Sequence, residues 1–257
     1  MKKFLRWLQY VYVIYALLWF VVLMLLVLPF TVIALCLGKI KGGNFMYKVC
    51  NIWARSWYGL VGIRHGEIYE APHNREGKYI FVANHSSYMD IPPVVRAIHQ
   101  PVRVLGKYEM TRYPIFGIIY RMAAVVVDRS SLEKRARSVR ALKSALQKHI
   151  SIFIFPEGTF NETQEPLKDF YDGAFRIAIE TQTPIKPLLF IDSVKRLHWR
   201  SIFSLTPGPC RVVFMQEIPV EGLTQKNLPE LKKQVHSAME NGLKKYAATV
   251  QTYSSMQ

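Results

Sequence analysis

The first 60 residues contain no aspartate or glutamate, and residues 10–38 form a run of 29 positions without any charged side chain. Crossing a bilayer core takes about 20 apolar residues, so a run this long argues against a soluble core helix. Cysteine is scarce: Cys36, Cys50 and Cys210 are too few and too scattered for a disulfide framework, and no Cys-x-x-Cys pair suggests a zinc ribbon or a redox couple. They read as free thiols in a reducing compartment. The chain also lacks Gly-x-Ser-x-Gly, His-Glu-x-x-His, Gly-Lys-Ser/Thr and Gly-x-Gly-x-x-Gly, which sets aside a hydrolase nucleophile elbow, a zinc protease and the common nucleotide-binding loops.

What is present is basic and apolar. Lys+Arg number 34 against 18 Asp+Glu, a net charge of +16, and 50% of the 257 residues are hydrophobic, which excludes an intrinsically disordered chain. Such a charge suits either nucleic acid or an anionic membrane. The uncharged run decides for anionic membrane lipids as partners and against nucleic acid.

Lys2, Lys3 and Arg6 open the chain as they would a signal peptide, but the apolar stretch is too long and no small-x-small cleavage site follows, so the segment is expected to stay. Pro29 removes a backbone donor and predicts a kink or break there. Either Tyr10 to Leu28 spans the bilayer, or the chain turns near Pro29 and Phe30 and returns. Lys2, Lys3, Arg6, Lys39, Lys41, Lys48 and Arg55 put positive charge on both flanks, favouring a re-entrant hairpin with the catalytic domain on the cytosolic face. After a break expected at Gly42-Gly43, Phe45, Met46, Val49, Ile52, Trp53 and Leu60 recur at helical spacing, as in an interfacial helix or an amphipathic helix packed on the next domain. Residues 1–62 are thus expected to be a membrane-anchoring helical segment, and 63–257 an α/β domain.

From about residue 78, short β-branched and aromatic runs predict strands at Tyr79–Ala83, Val102–Leu105, Ala124–Val127, Ser151–Phe155, Ile185–Ile191 and Arg211–Met215. Helical patterns intervene at Ile91–Ile98, Ser131–Ile150, Gly173–Thr181 and Leu228–Tyr246. The alternation predicts the α/β class: a mixed, largely parallel sheet flanked by helices, with an N-terminal membrane-embedded helical segment.

Chemistry-bearing residues fall directly after predicted strands. Asn84-His85-Ser86-Ser87-Tyr88-Met89-Asp90 follows the first of them, where α/β folds place their sites. An acid five residues beyond a histidine, where a loop turns into a helix, can fold back on the imidazole and stabilise its cation. A loop histidine beside an N-capping aspartate is an equally good description of the same residues. Phe155-Pro156-Glu157-Gly158-Thr159 ends another strand, where glycine and free backbone donors can approach an anion, or where an ordinary turn sits. Lys107 and Arg129 each lie beyond a strand, where they could meet a phosphate at the same sheet edge or be ordinary exposed cations.

In this order the clusters resemble the glycerolipid acyltransferases, specifically the 1-acylglycerol-3-phosphate (lysophosphatidate) acyltransferases. The family's His-x4-Asp block matches His85 and Asp90; its second block matches Lys107, Glu109, Pro114, Gly117 and Arg129; its third matches Phe155 to Thr159; its fourth matches Pro184-Ile185-Lys186-Pro187. The resemblance covers residues 78–192. It implies acyl transfer from an acyl-coenzyme A or acyl-carrier-protein thioester to the hydroxyl of a lysolipid, with His85 as general base and Asp90 orienting it. Asn84, Lys107, Glu109, Arg129, Glu157, Gly158 and Thr159 are the implied substrate-binding positions. No metal, cofactor or covalent acyl-enzyme is implied. One position departs: the family's third block continues with an arginine associated with the acceptor phosphate, and Phe160 stands there. This keeps a different acceptor, such as an amino-acid-containing lysolipid, in play. A serine-dependent lipid hydrolase using Ser86 or Ser87 is the rival enzyme, and a non-catalytic membrane-binding protein the rival class.

Overall fold

A computed structural model describes residues 2–127 and 131–255. Two long helices, α1 (Lys2–Cys36) and α2 (Gly38–Leu60), precede seven strands: β1 (Ile63–Tyr69), β2 (Ile80–Ala83), β3 (Val102–Lys107), β4 (Ala124–Val127), β5 (Ser151–Ile154), β6 (Ile185–Phe190) and β7 (Gly208–Phe214). The remaining helices are α3 (Ile91–Ala97), α4 (Pro114–Ala123), α5 (Leu132–Gln147), α6 (Gly173–Thr181), α7 (Ser193–Arg196) and α8 (Leu228–Ser255). The strands form one sheet in the order β1-β7-β6-β2-β5-β3-β4, parallel throughout except for the antiparallel β6–β7 pair. The carboxyl ends of β2, β5, β3 and β4 therefore share one edge.

Strands β2, β5 and β6 are buried at every position, which is why they read as unbroken apolar runs. Side chains alternate between faces. Ile80, Val82, Ile152, Ile154 and Leu189 pack beneath α5, α6 and α8, while Phe81, Phe153, Leu188, Phe190 and Phe214 face α2 and α3.

The N-terminal segment departs from expectation in two places. Pro29 neither breaks nor ends α1, which runs on to Cys36; the turn comes at Leu37-Gly38, and α1 and α2 are antiparallel neighbours. Gly42 and Gly43 lie inside α2 and mark no break. Their smallness serves packing instead: a Cβ on Gly42 would sit 2.0 Å from the backbone oxygen of Ala34, so α1 and α2 approach closely there only because that atom is missing. Of the apolar stripe, Met46 and Val49 are buried, Phe45 and Trp53 half-buried, and Ile52 and Leu60 exposed, as in an amphipathic helix packed on the next domain.

Among the described residues one helix, α1, is long and apolar enough to cross a membrane. It exposes Phe4, Trp7, Ile14, Leu18, Leu26 and Leu35 along its length, a continuous apolar surface that water-soluble exteriors do not carry. The chain is membrane-associated through it. Strand β1 and the helices α4 and α7 went unread in the sequence. Strand β1 carries Arg64, His65 and Glu67 and is held by its register with β7. Helix α4 is short, and Gly117 within it reads as a motif residue; a Cβ there would fall 2.3 Å from Thr111 O, so the glycine lets α4 close on the preceding turn.

A Gly42→Ala substitution should destabilise the protein by about 1–3 kcal/mol, because the clash is with backbone that cannot rotate away. Gly59→Ala in the same helix meets nothing within 4 Å and should be neutral or slightly stabilising. Thermal unfolding of the two variants in one detergent checks the contrast; equal melting temperatures would refute the close approach of α1 and α2.

Candidate active site

The residue after β2 begins the site. Asn84 is buried, donates from Nδ2 to Phe190 O at 3.0 Å and accepts from Phe190 N at Oδ1 at 2.8 Å. Both ends of its amide are occupied by β6 backbone, so Asn84, one of the positions expected to bind substrate, locks the loop to the sheet. His85 follows, and from Ser87 the chain enters a 3-10 turn, Tyr88–Asp90, capped by Ser87 Oγ accepting from Met89 N.

Asp90 is fully enclosed. Its Oδ2 accepts from Ser86 N at 2.7 Å, from Ser87 N at 2.8 Å and lies 2.9 Å from His85 Nδ1. The capping and catalytic descriptions of this residue thus hold together. A carboxylate only accepts, so Nδ1 carries the proton and Nε2 is left as the basic nitrogen. Nε2 has no hydrogen-bond partner among the described residues. The imidazole also stacks on Phe155, with centroids 3.8 Å apart and planes 11° apart, and meets Phe160 edge-on at 4.4 Å. Two independent constraints therefore set the ring's orientation: the carboxylate at one edge and an aromatic face beneath.

A second buried carboxylate holds His85 from the other side. Glu157, 1% exposed, accepts from His85 N at 2.7 Å and from Lys168 N at 2.9 Å, and Asn161 N donates to His85 O at 2.6 Å. Burial pushes its carboxyl up to about 7, against the pull of the two backbone donors. Glu157, one of the positions expected to bind substrate, thus fixes the backbone of two segments at once. Gly158 at φ +72° lets the chain turn back to make these bonds. Thr159 is exposed and its Oγ1 accepts from Lys168 Nζ at 2.6 Å.

His85, Asp90, Glu157, Gly158 and Thr159 are thus brought together. Lys107 ends β3 and is exposed, and Glu109 lies in the 3-10 turn after it. Both share the sheet edge with His85, but β5 stands between β2 and β3, so Lys107 starts two strand spacings away, about 10 Å. Arg129 lies outside the described residues. Sequence reasoning missed the packing of Phe155, Phe160 and Tyr88 around the imidazole, the Asn161 bond and Lys168. Phe155 had a signal, since it opens the third block; Lys168 had none, being recruited only by the fold. Ser87 Oγ donates to Leu197 O at 2.5 Å and is enclosed. It is unavailable as a nucleophile, which removes one of the two serines the hydrolase reading needs.

A family model described as Acyltransferase matches residues 65–191, a span that holds every part of this site. Over that span the chain is similar to the acyltransferase family. It is 27% identical over 217 residues to a human 1-acyl-sn-glycerol-3-phosphate acyltransferase alpha, covering 83% of this chain and 76% of that one. It is 28% identical over 161 residues to a 1-acyl-sn-glycerol-3-phosphate acyltransferase of Cocos nucifera, where it spans about half (51%) of the relative's length and 62% of its own. The crystal structure of the lysophosphatidate acyltransferase PlsC from Thermotoga maritima shares the fold, with a TM-score of 0.73, 20% identity and coverage of 96% and 98% of the two chains.

His85→Ala should reduce acyl transfer by about 10² to 10⁴-fold, the usual contribution of a positioned base, while folding and membrane association persist. Asp90→Asn should also cost about a hundredfold or more, since a neutral amide cannot stabilise the imidazolium. Turnover within a few-fold of normal in His85→Ala, measured on protein shown folded by circular dichroism, would refute the assignment.

Proposed function

We propose that the protein transfers a fatty acyl group from an acyl thioester to the free hydroxyl of lysophosphatidate, giving phosphatidate for phospholipid synthesis. The single observation that carries this is the His85–Asp90 pair, its Nε2 free and its orientation doubly fixed, inside an acyltransferase domain. Nε2 accepts the hydroxyl proton as the oxygen attacks the thioester carbonyl. Asp90 stabilises the imidazolium that forms, the carbon–sulfur bond breaks, and the imidazolium returns the proton to the departing thiolate. A thioester already has a good leaving group, so no acyl-enzyme is needed. Acyl-coenzyme A or acyl-carrier protein serves as donor. Asn84, Lys107, Glu109, Arg129, Glu157, Gly158 and Thr159 are the substrate-binding positions of this reading.

The lysolipid arrives from the bilayer. Helix α1 is fastened to the domain at intervals: Gln9 Nε2 donates to Phe203 O and Leu205 O, Tyr12 OH to Val61 O, Phe20 packs on Trp53 and Trp57, and Ala34 meets Gly42. A helix bound along its length to a folded domain cannot also stand upright across a membrane. This supports α1 lying in one leaflet, on the cytosolic face that the flanking positive charge favours. Membrane-impermeant labels on Lys3 and Lys48 should therefore react from the same, cytosolic side; labelling of Lys3 from the opposite side would mean that α1 spans.

Phe160 supports a second acceptor class. Its ring packs edge-on to His85 and to Tyr88, at 4.4 and 4.7 Å, making an apolar wall that suits an acceptor without an anion at that point. The deciding experiment offers purified protein a panel of lysolipids with both donor types and reads products by mass spectrometry. Lysophosphatidate should be the best acceptor, and Phe160→Arg should leave it so or improve it. Poor use of lysophosphatidate, with strong use of an amino-acid-containing lysolipid that Phe160→Arg abolishes, would overturn the first choice.

A further inference from the structure

The geometry points to Lys168 as the cation that meets the acceptor's phosphate beside His85, an inference that rests on the phosphate-acceptor reading above. Three observations carry it. Lys168 lies on the limb that returns from the turn after β5, and its own N–H is clamped by Glu157 Oε2 at 2.9 Å. The other oxygen of the same carboxylate holds His85 N at 2.7 Å. One buried carboxylate therefore fixes the backbone of the base and the backbone of the lysine relative to each other. No such link joins His85 to Lys107.

The ammonium itself is turned back over that turn. Lys168 Nζ donates to Thr159 Oγ1 at 2.6 Å and to Phe160 O at 3.3 Å. Both acceptors are neutral oxygens, and no carboxylate among the described residues forms an ion pair with this nitrogen. Glu165 and Asp169 lie on the same limb and line the cleft beside it, yet neither makes a bond to it. The ammonium's hydrogen-bond acceptors are neutral, its charge is felt by the buried Glu157 carboxyl without a bond between them, and a third N–H remains for a phosphate oxygen. Phe160, by contrast, sends its side chain to His85 and Tyr88, so the turn divides its work: the apolar ring shields the imidazole and the lysine supplies charge. Lys168 is in this view a residue of acceptor selection, since it has no contact with the imidazole and no part in proton transfer.

Lysophosphatidate and 1-acylglycerol differ only by the phosphate, so the ratio of their kcat/KM values reads its recognition directly. Lys168→Met should lower that ratio by about tenfold or more, the size of a lost charge-assisted hydrogen bond. The loss should fall on KM for lysophosphatidate, with KM for the acyl donor and kcat/KM for 1-acylglycerol within about twofold of wild type. Lys168→Arg should restore most of the ratio. An unchanged ratio in Lys168→Met would overturn the role of Lys168 while leaving lysophosphatidate as acceptor. Equal losses on both acceptors, not rescued by Lys168→Arg, would mean that the side chain only tethers the loop and would overturn it too. If wild-type enzyme prefers 1-acylglycerol or a zwitterionic lysolipid over lysophosphatidate, the acceptor reading itself fails, and that outcome is visible before any variant is made.

Discussion

Everything in the site is arranged around one oxygen. Asp90 Oδ2 receives two backbone N–H groups and faces the imidazole N–H, in a place with no solvent access. A buried carboxylate without partners costs several kcal/mol, so the fold tolerates Asp90 only because the loop after β2 curls to present those donors. The same curl sets the position of His85. Catalytic geometry and loop conformation are therefore one requirement, and an aspartate at this position caps the turn whether or not substrate is present.

Glu157 works by the same logic on the other side of the histidine, but with a different consequence. Its donors come from two segments far apart in sequence, the loop after β2 and the limb returning to α6. It is a cross-brace, where Asp90 is a local staple. Burial raises its carboxyl to about 7 against the pull of its two backbone donors, whereas Asp90 Oδ2 has two backbone N–H groups and the imidazole around it. Two carboxylates within one site are thus given separate tasks by their surroundings.

Much of this was legible beforehand. The central strands announced themselves by unbroken apolar runs because both faces of the sheet are covered, and the spacing of His85 and Asp90 reads correctly because it is a local turn. Legibility failed where tertiary contact overrides local rule. Pro29 stays inside a helix because the surrounding helix is supported by packing along its length. Gly42 and Gly43 look like a break and are instead a contact surface. Strand β1 has a polar, glycine-containing sequence that only pairing with β7 makes a strand. Lys168 could not be found at all, since its link to His85 runs through a carboxylate eleven residues before it.

The N-terminal helices are more than an anchor, and this follows from what α2 touches. One side of α2 receives α1; the other covers the sheet face formed by Phe81, Phe153, Leu188 and Phe214. Tyr47 OH donates to Val94 O and Ile98 O, and Asn51 Nδ2 to Val95 O, so α2 also grips the backbone of α3. Helix α3 starts at the residue after Asp90. A continuous chain of packed elements therefore runs from the exposed face of α1, through α2 and α3, to the carboxylate that orients the base. Stripping away residues 1–60 would bare an aromatic sheet face as well as remove the membrane contact, so solubility and activity cannot be separated by cutting there. The boundary drawn in sequence between anchor and enzyme coincides with a change of secondary structure, but the hydrophobic core crosses it. The exposed apolar face of α1 and the alignment of His85 are consequently borne by the same layer of helices.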